Sequence, residues 1–432
     1  MKRVLIKNGQ VVDPANDRGE TMDVLLEGDK VAAIGESMSV EGAEIIDAEG
    51  CVVSPGFIDL HTHLREPGQE YKEDIASGTR AAARGGFTAV VAMANTEPVT
   101  DDETGVRFVD DTAQRTGVVR VYPAGAITKG QNGEELAEMG IMAEAGARVF
   151  SDDGKPVAKA NVMQHALEYS RMLGLPVAVH EELPSLKGDG VVNRGVVSTV
   201  TGLSGISPAA ESAMVARDIE LCRLFGGHLH ISHISTARSI QIIEQAKEEG
   251  LNITCEVTPH HLALTEDLVR ESNFDTNTKV NPPLRTEEDR QALVVALREG
   301  IIDAVATDHA PHSIDDKDRE YIFADFGISG LETSFALLHD RLVLSGELSL
   351  ERLIESLTWG PAQCFDLPGG TLGEGEPADI CIFDTDDEWA VRPEEFASKG
   401  HNTPLIGWSL TGRVRTVLVG GKMVLQDGEL LC

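Results

Sequence analysis

Gly56-Phe57-Ile58-Asp59-Leu60-His61-Thr62-His63-Leu64-Arg65-Glu66-Pro67-Gly68 is an apolar run of strand length that stops at a His-x-His pair, with a Pro-Gly turn signal behind it. Side chains two apart on a strand share a face, so His61 and His63 can address one ion. A strand ending in metal-ligand residues belongs at the C-terminal mouth of a parallel α/β barrel.

Seven further apolar runs follow at 89–93, 118–122, 147–150, 176–179, 228–232, 252–257 and 302–306, with helix-like stretches at 72–84, 157–173, 208–225, 236–249 and 287–299. Eight parallel-type strands with helical crossovers give the (β/α)8 TIM barrel, an α/β fold, over residues 55–365. The segments 1–54 and 366–432 are strand-rich, with Asn-Gly, Gly-Asp and Glu-Gly turn signals in the first. Each is too short to fold separately, so the N- and C-terminal segments are expected to form one small, composite β-sandwich beside the barrel.

The other strand ends carry Asn95, a Gly/Ala-rich stretch near Gly125, Asp152 and Asp153, His180, His233, His260 and His261, and Asp308. His228 and His230 lie earlier on the strand of His233 and read as structural; of the adjacent His260 and His261 only one can face inward, and both read as supporting residues. His61, His63, His180, His233 and Asp308 exceed what one zinc needs, because a catalytic site uses about three protein ligands and a water. Two zinc ions sharing a hydroxide suit the set better, with Asp308 both ligand and proton carrier. A further anion should bridge the ions, and Asp153 is the expected bridge; Asp152 and a carboxylated Lys155 stay open as alternatives.

The chain has 432 residues and a net charge of −34, with 37 Lys and Arg against 71 Asp and Glu. Such a surface repels nucleic acid and anionic membranes, and no basic patch with interleaved aromatics offsets it. Adaptation to high salt and ordinary solubility both account for the acidity. No run of 18 apolar residues or signal-peptide pattern is read, and the six dispersed cysteines fit reduced thiols, so a cytoplasmic setting is expected.

Taken as a set, His63-Leu64-Arg65-Glu66-Pro67-Gly68, Ala94-Asn95-Thr96, Phe150-Ser151-Asp152-Asp153-Gly154, Thr258-Pro259-His260-His261-Leu262, Asn281-Pro282-Pro283-Leu284-Arg285, Thr307-Asp308-His309-Ala310-Pro311-His312 and Asn402-Thr403-Pro404 resemble the amidohydrolase superfamily and, within it, the class I dihydroorotases. The resemblance covers nearly the whole chain. It implies reversible zinc-dependent hydrolysis of the cyclic amide of dihydroorotate to N-carbamoyl-aspartate, a step of pyrimidine synthesis. His61, His63 and Asp308 would hold one zinc, His180 and His233 the second, and Asp153 both. The bridging hydroxide would attack the ring carbonyl, and Asp308 would pass the proton to the leaving nitrogen.

The same resemblance places Arg65, Asn95 and His312 on the substrate carboxylate, with His63 as a further substrate contact and Asn281 and the Phe326-Gly327 backbone on the ring. Position supports Arg65 independently, since it stands two residues beyond His63 and a guanidinium suits a carboxylate bidentately; the alternative is a surface ion pair with Glu66 or Glu70. Residues 311–329 read either as a loop that closes over substrate or as a solvated charge run. A homodimer, and association in trans with a transcarbamoylase, are implied by the family alone. The competing readings are another cyclic amidohydrolase, such as allantoinase or dihydropyrimidinase, and a catalytically inactive scaffold. Those other cyclic amidohydrolases generally carry a carboxylated lysine where Asp153 stands.

Overall fold

A computed structural model describes residues 2–431. Eight parallel strands follow one another around a barrel: Phe57–Thr62, Phe87–Ala92, Arg120–Gly125, Val149–Ser151, Val177–Val179, Leu229–Ile231, Ile253–Val257 and Ala304–Val305. These are the eight runs read from the sequence, with boundaries shifted by a few residues. The ring closes between its ends. Thr62 bridges His309 in parallel, His63 N–H donates to the His309 carbonyl at 2.9 Å, and Asp59 Oδ1 accepts from Thr307 N–H at 3.1 Å.

The five helical stretches form at Ile75–Arg84, Ala160–Leu173, Pro208–Phe225, Ala237–Glu248 and Glu287–Arg298. A further helix, Glu103–Thr116, is largely polar in sequence, and its buried stripe is only Val106, Val109, Thr112 and Ala113. Its start is fixed by Asp102, whose side chain accepts from Gly105 N–H at 2.9 Å, and packing of that stripe outweighs its modest propensity.

Small side chains dominate the barrel interior, where Ala89, Ala124, Ala178, Ala304 and Ala306 pack with Ile58, Leu60 and Val91. Phe365, from the helix Trp359–Phe365, joins this cluster and lies edge-on to His230, with centroids 4.7 Å apart. Alanines at these positions leave volume for polar side chains inside the barrel.

The strand-rich chain ends meet in nine strands joined edge to edge. Val52–Pro55 stitches the two ends, pairing in parallel with Arg3–Val11 and antiparallel with Ile380–Ala390. Side-chain alternation then separates two faces. Ile380 and Ile382 pack with Val4, Ile6, Val24 and Leu26, while Cys381 and Phe383 join the barrel's outer core, where Phe383 lies 6.1 Å from Phe57.

Candidate metal centre and ligand cavity

His61 is the penultimate residue of the first barrel strand, and its ring points to the barrel axis, fully buried. Its Nδ1 contacts Glu256 Oε1 at 2.8 Å, so its Nε2 faces the mouth. That Nε2 is buried without a hydrogen-bond partner, with Asp153 Oδ1 at 3.2 Å and Asp308 Oδ1 at 3.6 Å. His63 is oriented similarly, with Nδ1 donating to Asn95 Oδ1 at 2.9 Å and Nε2 lying 3.0 Å from Asp308 Oδ1. His180 Nδ1 stands 2.9 Å from His233 Nε2 and 3.7 Å from Asp153 Oδ1.

Two overlapping sets of donor atoms converge here, His61/His63/Asp308 and His61/Asp153/His233, each within 4.8 Å of one another. Imidazole nitrogens and carboxylate oxygens at this spacing, one of them orphaned, fit a divalent metal of the zinc type. The electrostatics agree. Burial disfavours charge on His61, yet Asp153 and Asp308 outweigh it and hold its pKa well above the usual imidazole range. His180, opposed by burial and favoured by Asp153 and Glu182, is pushed up to about 9. Burial would raise Asp153 and Asp308, but the surrounding histidines hold both carboxyls well below the ordinary range. The carboxylates that favour protons on these histidines would equally favour a metal cation among them.

The alternatives for the bridging anion separate clearly. Asp152 turns away, accepting from Ile127 N–H at 2.8 Å and Thr128 N–H at 3.0 Å and so capping the turn after the third strand. Lys155 is exposed, four residues beyond the end of the fourth strand at Ser151. Asp153 alone of the three reaches the histidines, from just past a strand that ends at Ser151.

A cavity of about 230 Å³ opens over this cluster, lined by His63, Arg65, Asn95, Asp153, His180, His233, Asn281, Asp308, His312, Phe326 and Gly327, with Gly154, Lys187, Ala310 and Asp325. Arg65 arrives by a different route from the one its spacing suggested. The strand ends at Thr62, and Arg65 lies in the left-handed region at φ +62°, so a turn rather than strand alternation aims its side chain. His233 (φ +34°) and Asp308 (φ +48°) share that uncommon conformation, a clustering of strain typical of functional sites.

Arg65 is buried and makes no ion pair with a carboxylate among the described residues. Its Nε donates to the Pro311 carbonyl at 3.3 Å, and Nη2 lies 3.4 Å from His312 Nε2. Glu66 and Glu70, the alternative partners, accept instead from Ile75 N–H and Gly68 N–H. Asn281 presents a buried, unpartnered Oδ1, with Nδ2 3.3 Å from His180 Nε2.

Two expected contacts are differently engaged. His312 Nε2–H donates to the Phe326 carbonyl at 2.8 Å, while Nδ1 lies 3.2 Å from Lys72 Nζ. Gly327 N–H donates to the Lys279 carbonyl at 2.9 Å, and its own carbonyl accepts from Asn402 Nδ2 at 3.0 Å. In this conformation, then, Gly327 spends both backbone groups on holding the 311–329 segment over the cavity. A side chain at Gly327 (φ +145°) would lie 2.7 Å from Ala310 Cβ, so this close approach requires glycine.

Glu256, Lys187 and Asp325 are site residues that the sequence reading lacked. Glu256 had a signal, a carboxylate inside the apolar run Ile253-Thr254-Cys255-Glu256-Val257; Lys187 and Asp325 sit on excursions with no such mark. His261 is structural, its Nε2 reaching the Pro282 carbonyl at 3.0 Å, and His260 Nε2 is buried without a partner.

Over residues 52–424 the sequence matches the model of the amidohydrolase family. The dihydroorotases of Anaeromyxobacter sp. (strain K) and Pelotomaculum thermopropionicum are each 49% identical to it, over 99% and 98% of this chain and 98% and 99% of theirs. Among solved structures, the L-hydantoinase (dihydropyrimidinase) of Arthrobacter aurescens superposes with a TM-score of 0.90 at 27% identity, over 100% of this chain and 98% of that one. A D-hydantoinase from Bacillus sp. AR9 gives 0.86 at 29% identity, over 99% and 96%.

Proposed function

The chain belongs to the amidohydrolase family, and from that premise we propose that it is a dihydroorotase, opening the ring amide of dihydroorotate with water to give N-carbamoyl-aspartate, and closing it in reverse. The observation that carries this choice is Arg65, a buried guanidinium without a carboxylate partner on the wall of a cavity floored by the metal-ligand cluster. A buried guanidinium that touches no carboxylate, with Asp308, Asp153, Asp325 and Asp316 acting on it only from a distance, favours an anionic ligand in direct contact. Dihydroorotate carries a carboxylate; hydantoin and dihydrouracil do not. The relatives named dihydroorotase, at 49% identity over almost the whole length, support the same reading.

His61, His63, His180, His233, Asp153 and Asp308 would hold a pair of zinc ions, which when bound would supply Lewis-acid polarisation of the amide carbonyl and activation of water at neutral pH. The chain's own residues do the rest. Arg65 and the Asn95 side chain bind and orient the substrate carboxylate, and the Asn281 carbonyl oxygen accepts from a ring N–H. Asp308, kept ionised by its histidine neighbours, takes the proton of the attacking water on its carboxylate and delivers it to the departing ring nitrogen. The segment 311–329 excludes bulk water from above. The reading includes a cytoplasmic homodimer, with any transcarbamoylase bound in trans.

A hydantoinase-type activity is the second reading, favoured by the fold likeness at a TM-score of 0.90. Ring opening of dihydroorotate, dihydrouracil, hydantoin and allantoin by the zinc-loaded protein separates the two. Dihydroorotate should be turned over selectively. Dihydrouracil is the same ring without the carboxylate, so equal turnover of the two overturns the proposal.

A further inference from the structure

Below the metal centre the barrel interior carries a continuous line of polar groups. His228 Nε2 lies 2.8 Å from Thr254 Oγ1, which lies 2.8 Å from His230 Nδ1. His230 Nε2 lies 3.1 Å from Glu256 Oε2, and Glu256 Oε1 lies 2.8 Å from His61 Nδ1. His230, Glu256 and His61 are each essentially inaccessible to solvent.

No Lys or Arg pairs with Glu256 among the described residues, so its charge is compensated by histidine N–H groups alone. A carboxylate this deep is costly, and an apolar side chain would fill the space at lower cost. Its placement therefore asks for a role beyond packing.

The donors and acceptors fix a direction. With Glu256 ionised, both its oxygens can only accept, so His230 Nε2–H and His61 Nδ1–H both donate to the carboxylate. The Thr254 hydroxyl links His230 Nδ1 and His228 Nε2, donating to one ring and accepting from the other. At the upper end, His61 keeps Nε2 facing Asp153 and Asp308, the same atom that has no hydrogen-bond partner, and on loss of its proton that nitrogen would offer its lone pair to a metal ion.

We propose that Glu256 is a positioning residue for the metal centre: it holds His61 as the Nδ1–H tautomer at a fixed ring angle, while Thr254 and His230 hold Glu256. The inference rests on the reading of His61 as a metal ligand. Such outer partners orient the ring and raise its basicity toward the ion.

The test is zinc affinity of the metal-free full-length protein, measured by competition with a chromophoric chelator and paired with the visible spectrum of the cobalt-substituted form. Glu256→Gln, folded by circular dichroism, should bind zinc about 10–100-fold more weakly than the parent and shift the cobalt bands. KM for dihydroorotate at saturating zinc should not change, because Glu256 does not line the cavity. A folded Glu256→Gln chain with parental zinc affinity overturns the inference. Should that variant not fold, Glu256→Asp decides: it keeps the charge but withdraws the carboxylate from both rings, and unchanged zinc affinity again overturns the proposal. Failure of the parent itself to bind zinc overturns the metal reading of the site, a result distinct from either.

Discussion

Arg65 Nη2 lies 3.4 Å from His312 Nε2, a contact that sets a guanidinium without a carboxylate partner against the imidazole that braces the 311–329 segment internally through the Phe326 carbonyl. Arg65→Met removes the charge and keeps most of the volume. KM for dihydroorotate should rise by about 10–100-fold, the equivalent of the ~1.5–3 kcal/mol of a hydrogen bond to a charged group. Zinc content should stay at the parental level. Steady-state kinetics with metal analysis checks both, and an unchanged KM removes Arg65 from the carboxylate site.

Asp308 sits at φ +48°, a conformation that asparagine tolerates. Asp308→Asn therefore isolates the carboxylate's proton-carrying role from backbone strain. We expect kcat to fall by about 10²–10⁴-fold, as for loss of a general acid–base, with metal content reduced but not abolished. Near-parental kcat would place the proton carrier elsewhere.

Metal binding should release protons. Without metal, His61 is held well above the usual imidazole range and His180 at about 9, so both carry protons at pH 7. Metal must displace them, and apparent zinc affinity should rise with pH toward about 9 and weaken as pH falls. Calorimetric titrations of chelator-treated protein in buffers of different ionisation heat measure the released protons; no buffer dependence at pH 7 contradicts the expectation. His61→Ala should lose metal and activity together.

Lys317 is buried and anchors the 311–329 segment, its Nζ donating to the Thr276 carbonyl at 2.9 Å and the Asp325 carbonyl at 2.7 Å. Lys317→Met leaves the Asp325 carbonyl unpaired, while that of Thr276 keeps the Lys279 N–H, at a cost of ~1–3 kcal/mol. Hydrogen exchange should quicken across 311–329, and KM should rise without loss of zinc. Parental exchange in the variant would show that the segment is held by other contacts.

The arrangement of the barrel was legible because its strands are short apolar runs and its ligand residues fall where those runs stop. Eight strand ends in order specify eight neighbours around a ring, whatever their distance in sequence. The helix Glu103–Thr116 was harder to read because only four of its residues face the core. Within the site, Asp152 and Asp153 cannot be told apart by sequence. Adjacent side chains leave the chain in different directions, and only the surrounding structure decides that Asp152 caps the turn while Asp153 meets the histidines.

The sequence by itself determined the barrel, the histidine and aspartate set at its mouth and the position of Arg65, since strand periodicity and chain order are local properties. Only the tertiary structure decided which nitrogen of each histidine faces the centre, that Arg65 lacks a carboxylate partner, and that Glu256 stands beneath His61. Those are relations between residues as far apart as 61 and 256, and no local pattern encodes which hydrogen bonds remain unmade when the ring closes. Hydrogen-bond direction and charge compensation are settled by packing all eight strands at once, because a buried polar group takes its state from every neighbour it meets.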